Sequence, residues 1–223
     1  MINRSIIHTS DGSKTIRIND WDEQYHSVHG ALQEAKHVYL EAGFKTYLNR
    51  FPDLKNINIL EIGFGTGLNA YLTAFESIKH PIKTFYHAVE AYPLKKEELK
   101  DLEYDKLSDL DPSIFHKIHD CTWGEMNKIS PQFSIIKRQE FFSHINDISV
   151  FDVVYFDAFG PRVQPDLWGV EIFLKMYNAL KSNGLLVTYS AKGSVRRTMQ
   201  NIGFKVERIN GPIGKREMLR STK

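Results

Sequence analysis

The pattern of apolar and polar positions changes period several times along the chain, and each change marks an element. Ile6-Ile7-His8-Thr9 and Thr15-Ile16-Arg17-Ile18 flank Ser10-Asp11-Gly12-Ser13, which predicts an N-terminal hairpin. Leu32, Ala35, Val38, Tyr39 and Ala42 recur near helical spacing and predict a helix from about Gly30 to Asn49. Short β-type runs follow at Asn58–Ile62, Thr84–Glu90 and Phe133–Lys137. Val150–Asp157 and Leu185–Ser190 read as buried strands. Helices are expected from near Leu68, over Leu94–Leu102, and near Pro165–Leu180. Phe204–Ile209 and Arg216–Ser221, around Gly211-Pro212-Ile213-Gly214, read as a closing antiparallel hairpin. Strands alternating with helices imply an α/β fold with a mainly parallel sheet. With no repeat or Pro/Gly/Ser-rich linker in view, residues 1–50 read as a hairpin-and-helix extension on a core of 51–223, in one structural domain.

Ligands of such sheets sit beyond the carboxyl ends of the strands. There the chain carries Glu61-Ile62-Gly63-Phe64-Gly65-Thr66-Gly67-Leu68-Asn69, a glycine-rich turn entering a helix. Glycines let the backbone turn tightly and approach a ligand, and the helix N-terminus offers free N–H groups. A phosphate-binding Walker loop is excluded, because no Gly-Lys-Ser/Thr follows. The dinucleotide fingerprint requires a third glycine where Leu68 stands. Charge discriminates further. Glu61, Glu90 and Asp157 each end a predicted strand, so three carboxylates are expected on one rim. That rim repels a pyrophosphate and attracts an ammonium and a sulfonium, which favours S-adenosylmethionine over a nicotinamide dinucleotide. Glu90, 27 residues after Gly63, is placed to accept from both ribose hydroxyls.

Composition adds limits. The 223 residues are 42% hydrophobic and 25% charged, enough for a real core, and no apolar run approaches a membrane span. No secretory leader is visible, and the single Cys121 excludes an internal disulfide, so a cytoplasmic location is expected. His26-x-x-His29 and His116-x-x-His119 lack the rest of a zinc signature, so no metal is expected. Net charge is +2, but Lys192–Lys223 holds nine Lys or Arg against Glu207 and Glu217, a local +7 that leaves −5 elsewhere. That asymmetry fits a polyanionic partner or a solvated basic face.

Taken together, several motifs resemble one family. These are Tyr25-His26-Ser27 with Gly30-Ala31 and Glu34, the glycine loop, Glu90-Ala91-Tyr92-Pro93-Leu94 and Asp157-Ala158-Phe159-Gly160-Pro161. Pro165-Asp166-Leu167-Trp168, Val195-Arg196-Arg197 and Gly214-Lys215-Arg216-Glu217-Met218-Leu219 complete the set. The chain resembles, from about Asp11 to Leu219, the methyltransferase module of the MnmC-type tRNA wobble-uridine enzymes. The resemblance implies a class I S-adenosylmethionine-dependent methyltransferase fold, Rossmann-like, with a seven-stranded sheet whose last strand is antiparallel. It implies methylation of the 5-aminomethyl group of wobble uridine, giving 5-methylaminomethyl-2-thiouridine, in the anticodon loop of tRNA. Family members often carry a fused flavin-dependent oxidase domain. A chain ending at Lys223 is expected to be a stand-alone form, with a separate protein supplying the aminomethyl group. Gly160 stands where the family often has Ala or Ser, which predicts a looser acceptor loop.

The expected cofactor contacts are Glu61, Gly63, Phe64, Gly65, Thr66, Gly67, Asn69, Glu90, Ala91 and Asp157, with Glu140 preferred to Asp120 as the adenine-side acid. Asp157 is the candidate catalytic residue, orienting the amine and accepting its proton. Tyr25, Phe159 and Trp168 are candidates to stack on a splayed-out base. Lys192, Arg196, Arg197, Lys215 and Arg216 are candidates for phosphate contacts. Three alternatives stay open. One is a small-molecule N- or O-methyltransferase, another a nicotinamide oxidoreductase, and the third a catalytically inert RNA-binding subunit.

Overall fold

The computed structural model describes residues 3–107 and 110–223. Strands β1 (Arg4–His8), β2 (Lys14–Ile18) and β3 (Glu23–Gln24) form a small antiparallel sheet, so the expected hairpin gains a third strand. A long helical run, α1, follows as Ala31–Ala35, a π-wound stretch Lys36–Lys45, and Thr46–Arg50. The main sheet takes β4 (Asn56–Ile62), β5 (Lys83–Val89), β6 (Met126–Lys128), β7 (Phe133–Arg138) and β8 (Phe151–Phe156). It is completed by β9 (Leu180–Thr188), β10 (Lys205–Asn210) and β11 (Glu217–Thr222). Between these lie α2 (Leu68–Ser77), α3 (Lys96–Lys100), α4 (Pro112–Asp120), α5 (Val170–Ala179) and α6 (Gly193–Ile202).

The strand order is β10-β11-β9-β8-β4-β5-β7-β6. From β9 through β7 neighbours pair in parallel, whereas β11 is inserted antiparallel between β9 and β10. The mainly parallel sheet with an antiparallel last strand therefore agrees with the expected class I methyltransferase architecture. An eighth strand, β6, joins the far edge antiparallel to β7. It was not expected, because Met126-Asn127-Lys128 has no apolar alternation and owes its shape to its partner.

Burial explains the central strands. All six residues of β8 are buried, and successive side chains feed opposite faces. Val153 and Tyr155 join a core with Val38, Tyr39, Tyr71 and Tyr86, while Val154 and Phe156 join one with Trp168, Phe173 and Met199. Helices on both faces thus turn the carboxyl ends of β4, β5 and β8 toward one rim. The crossing order places β4 between β5 and β8, the reversal point at which a crevice opens. The segment expected as one helix over Pro165–Leu180 divides into a 3₁₀ turn, Pro165–Trp168, and α5. Helix α4, not foreseen, begins at Asp111, whose carboxylate accepts from Ser113 N–H, with Pro112 opening its first turn.

Candidate active site

At that crevice lies a cavity of about 1070 Å³. One side is built by the turn between β4 and α2. Gly63 has φ +89°, and a Cβ there would sit 2.6 Å from the Asp157 carbonyl oxygen. Gly65 has φ +49° beneath the Tyr25 ring, where a Cβ would meet the ring at 3.0 Å. Both positions therefore require glycine. Gly63 and Phe64 N–H donate to Val89 O, stitching the turn to the end of β5. Glu90 follows at once, its carboxylate accepting from Gly65 N–H and Tyr92 N–H at 3.0 Å each. Phe64, Thr66, Asn69 and Ala91 also line the cavity.

Asp157 stands opposite, one residue beyond β8, and its N–H donates to Ile62 O. Asn69 Nδ2 donates to its Oδ2 at 2.8 Å. Burial pushes Asp157 up to about 7, with Tyr39, Asn69 and Lys215 pulling down and Glu34 pushing further up. Tyr25 and Phe159 pack edge to face at 4.8 Å, and Trp21 meets Phe159 at 5.8 Å. Arg162 bridges the loop after Asp157 to the N-terminal sheet, donating to Asp22 O at 2.9 Å and Glu23 Oε2 at 3.2 Å.

Five placements differ from the sequence expectation. Glu61 is fully buried behind the glycine loop and does not line the cavity, so the rim has two of the three expected carboxylates. Neither of its oxygens finds hydrogen-bond geometry, and burial pushes it well above the usual carboxylate range. Gly67 lies off the cavity as well; it starts α2 against His119 and Phe64. Glu140 is turned to Arg138 Nε at 2.6 Å, and Phe141, Phe142 and Ser143 line the wall there instead. Trp168 is 4% exposed and packed on Phe156; its indole N–H donates to Phe159 O at 2.8 Å. It supports the Phe159 loop from below and offers no face to a base. Lys215 lines the cavity with a third of its side chain exposed, 2.6 Å from Glu34 and 4.0 Å over the Tyr189 ring, so its charge is already paired.

Lys192, Arg197 and Arg216 are exposed and Arg196 is half-buried; all four lie outside the cavity. The Gly160 loop is tied by Arg162 and Trp168, and a Cβ at Gly160 would make ordinary contacts at 3.7 Å. Sequence reasoning gave no role to Glu34, Tyr39 or the Phe141-Phe142 pair. Glu34 did carry a signal, a charged residue on the apolar stripe of Ala31, Ala35 and Val38.

The cavity fits the cofactor expected from the sequence. Its charged lining is mainly acidic, with Glu23, Glu34, Glu90, Asp157, Asp166 and Glu171 against Arg4 and Lys215. A ligand with sulfonium and ammonium groups is favoured there, and a pyrophosphate is not.

Known proteins agree. A family model described as S-adenosyl-L-methionine-dependent methyltransferase matches residues 115–223. The chain is similar to proteins named tRNA 5-methylaminomethyl-2-thiouridine biosynthesis bifunctional protein MnmC. It is 28% identical to that of Campylobacter fetus over 212 residues, covering 91% of this chain and 33% of the relative. It is 30% identical to that of a Marinomonas species over 217 residues, covering 90% and 31%. The chain thus spans about one third of the length of these relatives. Among solved structures, MnmC2 from Aquifex aeolicus superposes with a TM-score of 0.79 at 23% identity, covering 99% of this chain and 70% of that one. A probable spermidine synthase from Corynebacterium glutamicum shares the fold more distantly, with a TM-score of 0.58 at 17% identity, covering 98% and 76%. These likenesses accord with the resemblance read from the sequence, and the superposition shows a shared fold. The family match over residues 115–223 and the shared fold point to S-adenosylmethionine as the cofactor.

Proposed function

We propose that the chain transfers a methyl group from S-adenosylmethionine to the 5-aminomethyl group of wobble uridine in the tRNA anticodon loop. The observation that carries this reading is a single cavity joining Glu90 and the glycine loop to Asp157 and an aromatic wall. The names of the MnmC relatives support the acceptor.

In this reading Glu90 accepts from the ribose hydroxyls, and Gly63–Thr66, Asn69 and Ala91 line the cofactor's path. Phe141 and Phe142 flank its base, in place of Glu140. When bound, S-adenosylmethionine supplies an electrophilic methyl group on a sulfonium. The chain's own task is to hold an amine in line with that methyl and to remove its proton. A primary alkyl amine has a solution pKa of about 10, so roughly one molecule in a thousand is neutral at pH 7. Asp157, with a value of about 7, is ionised for a large fraction of the time at neutral pH and takes the amine proton on its carboxylate. Asn69 fixes which oxygen faces the cavity. Tyr25 and Phe159, joined by Trp21, supply faces for a splayed-out pyrimidine.

Lys192, Arg196, Arg197 and Arg216 are assigned to the phosphate backbone, a role supported by their position outside the cavity. Residues 1–50 act as an extension sharing one core with 51–223; Ile16, Ala31 and Val38 pack with Ile59 and Tyr155. The reaction would run in the cytoplasm, where tRNA is modified. Among the described residues no helix is long and apolar enough to cross a membrane.

The test is methyl transfer from labelled S-adenosylmethionine to tRNA with and without 5-aminomethyluridine. Label recovered as 5-methylaminomethyluridine from the first pool alone is the expected result. Label in neither pool, with cofactor bound, overturns the acceptor and points to a small amine. Charge reversal at Arg196 and Arg197 is expected to weaken tRNA binding and flatten its salt dependence, leaving cofactor affinity unchanged.

A further inference from the structure

Residues 23–29 of the N-terminal extension all line the cavity. Two of their side chains reach across to the glycine turn between β4 and α2. The Tyr25 ring covers Gly65, where a Cβ would meet it at 3.0 Å. His26, 8% exposed, brings Nε2 to 3.4 Å from Thr66 Oγ1, and Thr66 is itself buried. On the far side of the ring, Nδ1 lies 3.0 Å from Thr15 Oγ1 in β2. His26 thus spans from the N-terminal sheet to the turn, and the proposed methyl transfer gives it no task.

The direction of each bond follows from the donors available. Thr15 Oγ1 accepts from the His26 main-chain N–H at 3.1 Å, so its own hydrogen is free for Nδ1. The Tyr104 hydroxyl, 3.4 Å from Nδ1, directs its hydrogen to Lys14 O at 2.8 Å. Nδ1 is then the acceptor, the ring proton sits on Nε2, and Nε2–H donates to Thr66 Oγ1. Burial pushes the ring down to about 4, so it is neutral at pH 7.

We propose that His26 is a positioning residue for the cofactor: through Thr66 it holds the glycine turn in the shape that receives S-adenosylmethionine. The N-terminal extension thereby completes the cofactor site. The inference rests on that cofactor and is independent of the acceptor. Glu90 ties the turn from one side, through Gly65 N–H at 3.0 Å, and His26 ties it from the side of the extension. A glycine-rich turn has many competing backbone conformations. Each tie raises the fraction of molecules ready to bind, and the apparent affinity rises with that fraction.

The experiment measures S-adenosylhomocysteine affinity by calorimetry and the amide exchange of Gly65, Thr66 and Gly67 in the cofactor-free full chain. The variants are His26→Gln, His26→Asn and Thr66→Val. Gln carries a donor about as far out as Nε2 and keeps the bond to Thr66, whereas Asn ends near Nδ1 and keeps only Thr15. Because 3.4 Å is long for a hydrogen bond, the effect expected is modest. His26→Asn and Thr66→Val should weaken binding by roughly three- to tenfold and speed exchange in the turn, with His26→Gln within about twofold of native. The His26→Asn, Thr66→Val double variant should bind no more weakly than either single one, because both remove the same bond. Gln and Asn each give up one buried hydrogen bond, so their Tm values should be alike while their affinities differ. Equal affinity losses in the Gln and Asn variants, losses that multiply in the double variant, or native affinity in His26→Asn each overturn the proposal. The expected affinities without any methyl reaching aminomethylated tRNA uphold the positioning role and overturn the acceptor alone. Native protein that binds neither S-adenosylhomocysteine nor S-adenosylmethionine overturns the cofactor reading and this inference with it.

Discussion

Two aspartates mark the two ends of β8, and they have opposite surroundings. Asp152, near the start, is 2% exposed and fully partnered. Lys181 Nζ lies 2.9 Å from it, the Tyr47 hydroxyl donates at 3.0 Å, and Asn58 N–H donates at 2.7 Å. Asp157, just past the end, receives a side-chain hydrogen bond from Asn69, and Lys215, which shares its cavity, is paired with Glu34. The first carboxylate is satisfied by donors from three residues and ties α1, β4 and β9 together. The second is held in place but left short of partners, so burial keeps it near neutrality in pKa. The same residue type on the same strand is thus a brace at the amino end and a reactive group at the carboxyl end. The number of donors around it decides which.

The comparison can be broken most sharply at Asp157. Asp157→Asn is expected to slow single-turnover methyl transfer by roughly 10²–10⁴-fold while leaving S-adenosylhomocysteine affinity unchanged. Asp152→Ala should do the reverse. It leaves Lys181 without its carboxylate and the Tyr47 hydroxyl and Asn58 N–H unpaired, costing about 2–3 kcal/mol in urea denaturation. Turnover per folded molecule should not change. If both variants lose rate with equal loss of stability, the division of labour is wrong.

The pH dependence sharpens the same contrast. Methyl transfer should fall below about pH 7 as Asp157 protonates, approaching tenfold per unit. Stability should move the other way. Because its folded value is raised from 3.8, the folded protein holds the Asp157 proton longer than the unfolded chain. That contribution is complete below about pH 4 and is lost as pH rises through about 7. Asp157→Asn should therefore have the flatter Tm profile between pH 4 and 8; a Tm lower than native throughout, with the same slope, would contradict it. The smallest expected effect concerns neighbours. Tyr47→Phe should cost about 1 kcal/mol with an unchanged acid limb. Trp168→Phe, which frees Phe159 O, should cost about as much and also raise KM for the acceptor.

The glycine loop and strand ends were legible because they depend on local chemistry. Gly63 and Gly65 are demanded by positive φ, and β4 and β8 are apolar because helices cover both faces of the sheet. Trp168, Glu140 and Lys215 were read from motifs and strand positions, and the fold gives them the partners Phe159 O, Arg138 and Glu34, which no local pattern names. Glu61 ends its strand as expected, yet the following turn closes over it.

By itself, then, the sequence determined the alternation of strands and helices, the turn after β4, and the placement of Glu90 and Asp157 at strand ends. Those follow from burial period and backbone conformation, which neighbours in the chain control. The tertiary structure alone decided which carboxylates meet the cavity and which are sealed behind it. It also decided that Lys215 would pair with Glu34, 181 residues away, on the wall of the cavity that Asp157 lines. Electrostatic environment depends on distances across the fold, and no local pattern encodes them.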